Sequence, residues 1–181
     1  YLLEKAIAHY QLQDAIVLPR AFFELTPDSA LSGLVLCGGL SSRMRQDKSM
    51  MMYHKAPQYM HLGHMLKLCC DNVFLSARAE QTSQYGTFPV ITDHHAYANA
   101  GPLTGLLSAF HQLPNQSVLL LGCDYPYLTI TQIIELLQQR HKGYDVICFK
   151  NTDSGYAEPL IAVYEKSCIP KLKQFYASGQ Q

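Results

Sequence analysis

The chain of 181 residues is long enough for one domain with a sizeable hydrophobic core, and its 48% apolar and 15% charged residues are ordinary for a globular protein. Fourteen basic residues balance fourteen acidic ones, so the charge gives no indication of binding to nucleic acid or to a membrane surface. The sequence shows no membrane-spanning run and no secretory signal pattern at its start, and we expect a cytoplasmic protein.

The six cysteines predict free thiols rather than a zinc site. None of them forms a Cys-x-x-Cys pair, whereas zinc ligands normally come in closely spaced pairs. Cys37, Cys123 and Cys148 lie in or at the ends of strand-like runs, so we expect buried thiols in a reducing compartment.

Residues 1–30 stand apart from the regular pattern that follows them. Apolar residues at helical spacing predict a helix over residues 1–12, and residues 15–18 form a short strand-like run that ends at a proline. We predict that residues 1–30 are an N-terminal extension or the tail of a preceding module. Residues 31–181 are then the functional domain.

Apolar runs and helical patterns alternate from residue 31 onward. The predicted strands are Leu31–Cys37, Asn72–Ala77, Phe88–Thr92, Ser117–Cys123, Tyr144–Phe149 and Leu160–Tyr164. The predicted helices are Pro57–Cys70, Pro102–Leu113, one that follows a capping box at Thr129 and ends near Gly143, and one that begins near Glu165. This alternation predicts a mostly parallel sheet with helices on both faces, and such sheets bind ligands at the carboxyl ends of their strands.

The loop after the first strand combines two glycines with two cations. Gly38 and Gly39 allow the backbone to approach a ligand, while Arg43 and Lys48 suit a phosphate chain. The loop matches neither the P-loop nor the Gly-x-Gly-x-x-Gly fingerprint of dinucleotide-binding proteins. A tight turn would explain the glycines, and solvated surface charge would explain each cation. Their combination with Asp47 favours a phosphate-binding loop.

Two aspartates follow other strands of the predicted sheet. Asp124 is either a turn or cap residue before Pro126 or a ligand of Mg²⁺, which proteins hold with one or two carboxylates and substrate phosphates. Asp93 is either a turn residue, a second carboxylate for the metal, or a contact for the sugar or base of a nucleotide. Because the strand ends converge on one edge, both aspartates and the loop predict a single site.

These residue types suit nucleotidyl transfer. An anionic acceptor would attack the α-phosphorus of a nucleoside triphosphate, and pyrophosphate would leave. Lys48 and Arg43 would offset the charge of the triphosphate, and Mg²⁺ on Asp124 would bridge the acceptor and the α-phosphate. A phosphate acceptor is already deprotonated at neutral pH, so the reaction requires no general base, and the sequence contains no obvious catalytic triad.

The segment Leu36–Lys48 carries a family resemblance. It reads Leu-Cys-Gly-Gly-Leu-Ser-Ser-Arg-Met-Arg-Gln-Asp-Lys and closely resembles the Leu-Ala-Gly-Gly-x-x-x-Arg-Met-Gly-x-Asp-Lys signature of the molybdenum cofactor guanylyltransferases, the MobA type. Further segments resemble the family in the same order, over roughly residues 31–178: Val90–Asp93, Gly101–Gly105, Cys123–Pro126 and Glu158–Tyr164. The Gly-Gly form and the Gly-Pro-Leu-x-Gly element favour the guanylyl branch over the cytidylyl one.

The resemblance implies a fold and a reaction. The fold is a three-layer α/β/α sandwich with a mostly parallel, Rossmann-like sheet of the nucleotide-diphospho-sugar-transferase type. The reaction is Mg²⁺-dependent transfer of GMP from GTP to the terminal phosphate of molybdopterin, which gives molybdopterin guanine dinucleotide and pyrophosphate. Any protein partners would belong to molybdenum cofactor biosynthesis or accept the finished cofactor, and neither nucleic acid nor membrane is implied.

The resemblance also implies roles for individual residues. The nucleotide-binding residues would be Leu36, Cys37, Gly38, Gly39, Lys48, Ser76, Asp93 and Asp124. Lys48, Arg43 and Asp124 would be the catalytic residues, and Asp124 would bind Mg²⁺.

The sequence departs from the family pattern at several positions. Arg45 replaces a glycine of the phosphate loop, Cys37 replaces alanine, and Ser76 replaces an asparagine that contacts the nucleotide in the family. The closing Asn-x-Asn-Thr-Pro segment of the family does not occur before Gln181. Either the chain is a fragment that lacks this segment, or its acceptor side is rebuilt.

Two alternative functions stay open at this point. One is a related nucleotidyltransferase with another base or acceptor, such as a cytidylyl enzyme or a sugar-phosphate nucleotidyltransferase. The other is a nucleotide-binding module without catalytic activity, of which Arg45 and the missing closing segment would be signs. Binding of CTP instead of GTP would distinguish the first alternative from a guanylyltransferase. Failure to release pyrophosphate from GTP would distinguish the second.

Overall fold

The computed structural model describes most of the chain from residue 30 onward. The described ranges are 30–38, 47–86, 88–140, 143–153 and 155–179. The helix and strand predicted within residues 1–18 lie outside these ranges, as do Gly39, Arg43 and Arg45. The extension predicted for residues 1–30 stays a prediction.

Strands and helices alternate through the described ranges, as the sequence predicts. The strands are β1 (Leu31–Leu36), β2 (Asn72–Ala77), β3 (Val90–Thr92), β4 (Ser117–Gly122), β5 (Val146–Lys150) and β6 (Ala157–Tyr164). The helices are α1 (Gln58–Leu66), α2 (Pro102–Gln112), α3 (Ile130–Leu137) and α4 (Ile169–Ala177). No helix in this described part of the chain is both long enough and apolar enough to cross a membrane.

Most element boundaries follow the local sequence signals, and three predicted boundaries are wrong by several residues. One of them is the end of α3, which lies at Leu137, six residues before the predicted stop near Gly143. The capping box predicted at Thr129 is confirmed, because Thr129 and Gln132 exchange hydrogen bonds at the start of α3. α1 ends four residues before Cys70, because the amides of Leu68 and Cys69 donate to carbonyls three residues back and form a tighter turn. β6 begins before the predicted Leu160, since Ala157 pairs with Lys150 of β5 across an irregular step in the register.

The sheet has the order β3-β2-β1-β4-β6-β5. The first four strands in this order are mutually parallel, whereas β6 runs antiparallel to both β4 and β5. The mostly parallel sheet expected from the sequence is therefore confirmed. The reversed direction of β6 brings its amino-terminal end to the edge where the parallel strands end.

Hydrophobic clusters on both faces of the sheet give the molecule three layers. On one face, Val35 of β1 and Leu121 of β4 pack with Leu62 of α1 and Ile133 of α3. On the other face, Leu34, Leu120 and Ile91 pack with side chains of α2 and with partly buried residues of α4. All six residues of β4 are buried, as expected for a central strand covered by helices on both sides. The α/β/α sandwich is confirmed.

A glycine in α2 lets this helix approach the sheet edge closely. A Cβ added at Gly105 would lie 2.4 Å from Ser76 Oγ of β2 and 2.8 Å from Leu36 Cδ2 of β1. Both distances are shorter than atoms tolerate, so with a larger residue the side chains of Ser76 and Leu36, or α2 itself, would have to shift. The Gly101–Gly105 segment quoted for the family resemblance therefore has a packing role next to the predicted site.

We expect Gly105→Ala to lower the free energy of unfolding by about 1–3 kcal/mol, because overpacking outweighs the higher helix propensity of alanine. Urea denaturation measures the change. The matched control is Gly86→Ala, where an added Cβ meets nothing within 4 Å. Equal stability of the two variants would contradict the close approach of α2.

Candidate active site

The pairing register aligns four strand ends along one edge of the sheet. Leu36 of β1 pairs with Ser76 of β2 and with Gly122 of β4, and Ser76 pairs with Ile91 of β3. Two positions beyond these pairs stand Gly38, Arg78, Asp93 and Asp124. The common edge predicted from the sequence is therefore confirmed, and it carries a glycine, a cation and two carboxylates in register.

The backbone after β1 is held against β2. The amides of Cys37 and Gly38 both donate to the Ser76 carbonyl oxygen, at 2.9 and 3.0 Å. Gly38 is exposed, and a Cβ added to it would lie 3.5 Å from the nearest atom, Ala77 Cα, an ordinary contact. Packing inside the protein therefore does not require glycine at position 38. The explanation that the sequence suggests for this glycine is close approach of a ligand to the backbone.

Three other residues predicted to contact the nucleotide are packed into the edge. Cys37 is 5% exposed, and burial together with the neighbouring Cys123 raises the pKa of its thiol, which stays protonated at neutral pH. Ser76 is 3% exposed, and its hydroxyl faces Gly105 of α2. Leu36 is half-buried. Their nucleotide contacts stay predictions.

Asp47 fixes the segment that carries Lys48. Its Oδ1 accepts hydrogen bonds from the amide of Ser49 at 3.0 Å and from the Ser49 hydroxyl at 2.6 Å. Its Oδ2 accepts a hydrogen bond from Gln81 Nε2 at 3.1 Å. Asp47 thereby caps a short 3-10 turn that begins at Lys48 and ties this turn to the segment after β2. In the Asp-Lys pair of the sequence, Asp47 thus holds the turn in place and Lys48 supplies the positive charge.

Lys48 forms an ion pair with Asp124 across the sheet edge. The distance from Lys48 Nζ to Asp124 Oδ1 is 2.9 Å, and the side chains are 37% and 49% exposed. The hydrogen bond and charge of Asp124 raise the pKa of Lys48, so the ammonium group stays protonated at neutral pH. Two of the predicted catalytic residues are therefore brought together in a position that solvent and ligands can reach.

Asp93 lies at the far end of the aligned edge. Three strand spacings of about 4.8 Å each separate β3 from β4, so the strand ends that precede Asp93 and Asp124 lie about 14 Å apart along the edge. Loss of surrounding water raises the pKa of Asp93, and the positive charge of Arg78 opposes this shift. The separation favours a contact with the sugar or base of a nucleotide over a metal ion shared with Asp124.

The structure adds residues that the sequence analysis missed. Arg78 directly follows β2, so the strand-end rule that found Asp93 and Asp124 would also have found it. Glu158 reaches the same edge only because β6 is antiparallel, a direction that the sequence pattern does not encode. Its Oε2 accepts a hydrogen bond from the hydroxyl of Tyr125 at 2.8 Å, next to Asp124 in the chain.

The residues present fit a magnesium ion that is held largely by its substrate. No group of three His, Cys, Asp or Glu side chains in the described ranges could hold a metal ion as a cage. Magnesium usually keeps several waters and binds one or two carboxylates together with substrate phosphates. Asp124 is an exposed carboxylate that already faces a cation, so its chemistry suits such a site.

Comparison with known proteins places the chain in a family. A family profile described as the MobA-like NTP transferase domain matches residues 33–181. The chain belongs to this family. The resemblance stated from the segment after β1 is therefore confirmed over nearly the whole predicted functional domain.

Two relatives show how far the similarity extends. The chain is 33% identical to a molybdenum cofactor biosynthesis bifunctional protein from Synechocystis sp., over 83% of this chain and 42% of that protein. It is 28% identical to a probable molybdenum cofactor guanylyltransferase from Nostoc sp., over 82% of this chain and 72% of that protein. The chain thus spans less than half of the bifunctional protein and most of the guanylyltransferase.

A solved structure confirms the fold expected from the resemblance. It is the crystal structure of molybdopterin-guanine dinucleotide biosynthesis protein A from Archaeoglobus fulgidus, which matches with a TM-score of 0.64. The match covers 82% of this chain and 74% of that chain at 23% sequence identity. At this identity the likeness establishes the architecture and no more.

We expect Asp47→Ala to lower the free energy of unfolding by about 1–2 kcal/mol, because it removes the cap of the turn at Lys48 and leaves the buried Ser49 hydroxyl with one partner fewer. Urea denaturation measures the loss. The control is Asp153→Ala, an exposed turn position where the change should stay within about 0.5 kcal/mol. An Asp47 variant as stable as this control would show that the carboxylate is not an anchor.

Proposed function

We propose that this protein transfers GMP from GTP to the terminal phosphate of molybdopterin and releases pyrophosphate. The observation that carries the proposal is the Lys48–Asp124 pair, which joins the glycine loop and the end of β4 at the common edge. Relatives named as molybdenum cofactor guanylyltransferases support the choice of nucleotide and acceptor.

Lys48 would bind the triphosphate as a permanent cation. A lysine ammonium group is charged at neutral pH, and Asp124 raises the pKa of Lys48 further. Because Asp47 fixes the turn that carries Lys48, the backbone from which the ammonium group reaches the phosphates would already be held in place. Arg43, outside the described residues, is proposed to add a second positive charge from the glycine loop.

Asp124 would hold Mg²⁺ together with the phosphates. In the free protein its carboxylate faces Lys48, and binding of a nucleotide would redirect Lys48 to phosphate and leave the carboxylate to the metal. Bound there, Mg²⁺ would neutralise charge on the α-phosphate and act as a Lewis acid. Asp124 is exposed enough for this exchange to occur without unfolding of the turn.

The remaining edge would bind the nucleoside. Gly38 would let the sugar or base lie close to the backbone, and Asp93, about three strand spacings from Asp124, would contact the sugar or base. Arg78 stands between them and would contribute a planar set of hydrogen-bond donors. An extended nucleotide would therefore run along the edge from β3 to β4.

The acceptor would need no general base from the protein. Its terminal phosphate is ionised at neutral pH and can attack the α-phosphorus directly, so positioning and charge neutralisation are the main tasks of the side chains. We propose the cytoplasm as the compartment of this reaction. Proteins that make or accept the molybdenum cofactor are the proposed partners.

The test is release of pyrophosphate from GTP in the presence of molybdopterin and Mg²⁺. We expect multiple turnovers with GTP and at least about tenfold slower turnover with CTP, a difference of about 1.4 kcal/mol in transition-state binding. Omission of molybdopterin is the control for hydrolysis.

Three outcomes would contradict the proposal in different ways. Turnover with CTP alone would identify a cytidylyl enzyme. Turnover of GTP only with a sugar phosphate in place of molybdopterin would identify a different acceptor class. Binding of GTP without any release of pyrophosphate, next to an active control enzyme, would identify a nucleotide-binding module.

A further inference from the structure

Gln58, the first residue of α1, is a fully buried polar side chain that is only half satisfied. It is 0% exposed, and its Nε2 donates a hydrogen bond to the Tyr125 carbonyl oxygen at 3.3 Å. Its Oε1 accepts no hydrogen bond from the residues that the structure describes. Burial of an unpaired carbonyl oxygen lowers stability, so an apolar residue of the same size would suit the core better.

The position of Gln58 connects the two halves of the ion pair. Its backbone amide donates to the Met51 carbonyl oxygen at 2.9 Å, and the Met51 amide donates to the Lys48 carbonyl oxygen at 3.3 Å. Its side chain reaches Tyr125, the residue after Asp124. One residue therefore links the turn that carries the cation to the turn that carries the carboxylate.

Other contacts hold the second turn from the opposite side. The Tyr125 hydroxyl donates to Glu158 Oε2 of β6, and Glu158 Oε1 accepts a hydrogen bond from Asn151 Nδ2 at 3.2 Å. These bonds tie Tyr125 to β6 but not to the Lys48 segment. Gln58 ties it directly to the Lys48 side. His54, also from that side, lies within hydrogen-bond distance of the next carbonyl oxygen, that of Pro126.

We propose that Gln58 is a positioning residue that sets the placement of Asp124 relative to Lys48. The inference rests on the proposed function, because it concerns the exchange of Asp124 between Lys48 and a divalent cation. A displacement of the Asp124 turn would change the distance between the carboxylate of Asp124, which would bind the metal, and the ammonium group of Lys48, which would bind the triphosphate. The buried amide is then retained for the geometry of the site at the expense of stability.

The test is Gln58→Met, which keeps the length of the side chain and removes both polar atoms. We expect the urea midpoint to equal or exceed that of the wild type, since an unpaired buried oxygen is removed. We expect kcat/KM to fall by about 10- to 100-fold, the usual effect of losing a group that orients a metal ligand. Binding of Mn²⁺ in the presence of GTP, measured by electron paramagnetic resonance of free Mn²⁺, should weaken by at least about tenfold.

Gln116→Met is the matched control. Gln116 Oε1 accepts a hydrogen bond from the Ser32 hydroxyl at 2.6 Å, just before β4 and at the opposite edge of the sheet. Because Ser32 is 0% exposed, loss of this partner should lower the urea midpoint. The kinetic constants and the Mn²⁺ affinity of this control should match those of the wild type.

Two results would overturn the inference. Wild-type kinetics and wild-type Mn²⁺ affinity in Gln58→Met would show that the amide positions nothing. A lower urea midpoint, with activity reduced only in proportion to the folded fraction, would show that Gln58 has a packing role alone. If the wild-type protein itself showed no turnover, the proposed function would be refuted instead. The Mn²⁺ measurement needs no turnover, so it would still test the role of Gln58.

Discussion

The ion pair between Lys48 and Asp124 is the interaction on which the site depends. Each partner stands on a turn that the fold holds separately, Lys48 through the carboxylate of Asp47 and Asp124 through the contacts of Tyr125. The parallel sheet supplies the coarse placement, because strands β1 and β4 are neighbours and end at the same edge. The side-chain bonds then supply the fine placement of the ammonium group against the carboxylate.

Much of this arrangement could be predicted from the sequence. Alternating apolar runs and helical patterns gave every strand and helix of the described ranges, because buried strands and amphipathic helices differ in period. The rule that ligands bind at the carboxyl ends of parallel strands points to Asp93 and Asp124 from the sequence alone. The signature at Leu36–Lys48 indicated the family, which the profile match over residues 33–181 confirms.

Other features could not be predicted, for physical reasons. The direction of β6 is set by long-range pairing with β4 and β5, so the arrival of Glu158 at the edge is invisible to local patterns. No local sequence signal distinguishes Gln58, and its importance follows only from its complete burial beside Tyr125. The family signature also gave no reason for Asp47, whose role as an anchor requires the contact with Gln81.

The most direct test of the account is the rate of GMP transfer by Asp124→Asn, compared with the wild type at saturating GTP and Mg²⁺. Asparagine keeps the shape of the side chain and removes the negative charge that faces Lys48. We expect a loss of at least about 10²-fold in kcat, the scale that follows removal of a key electrostatic group, with the urea midpoint nearly unchanged. A variant with a rate close to that of the wild type would contradict the assignment of Asp124 to the metal and phosphates.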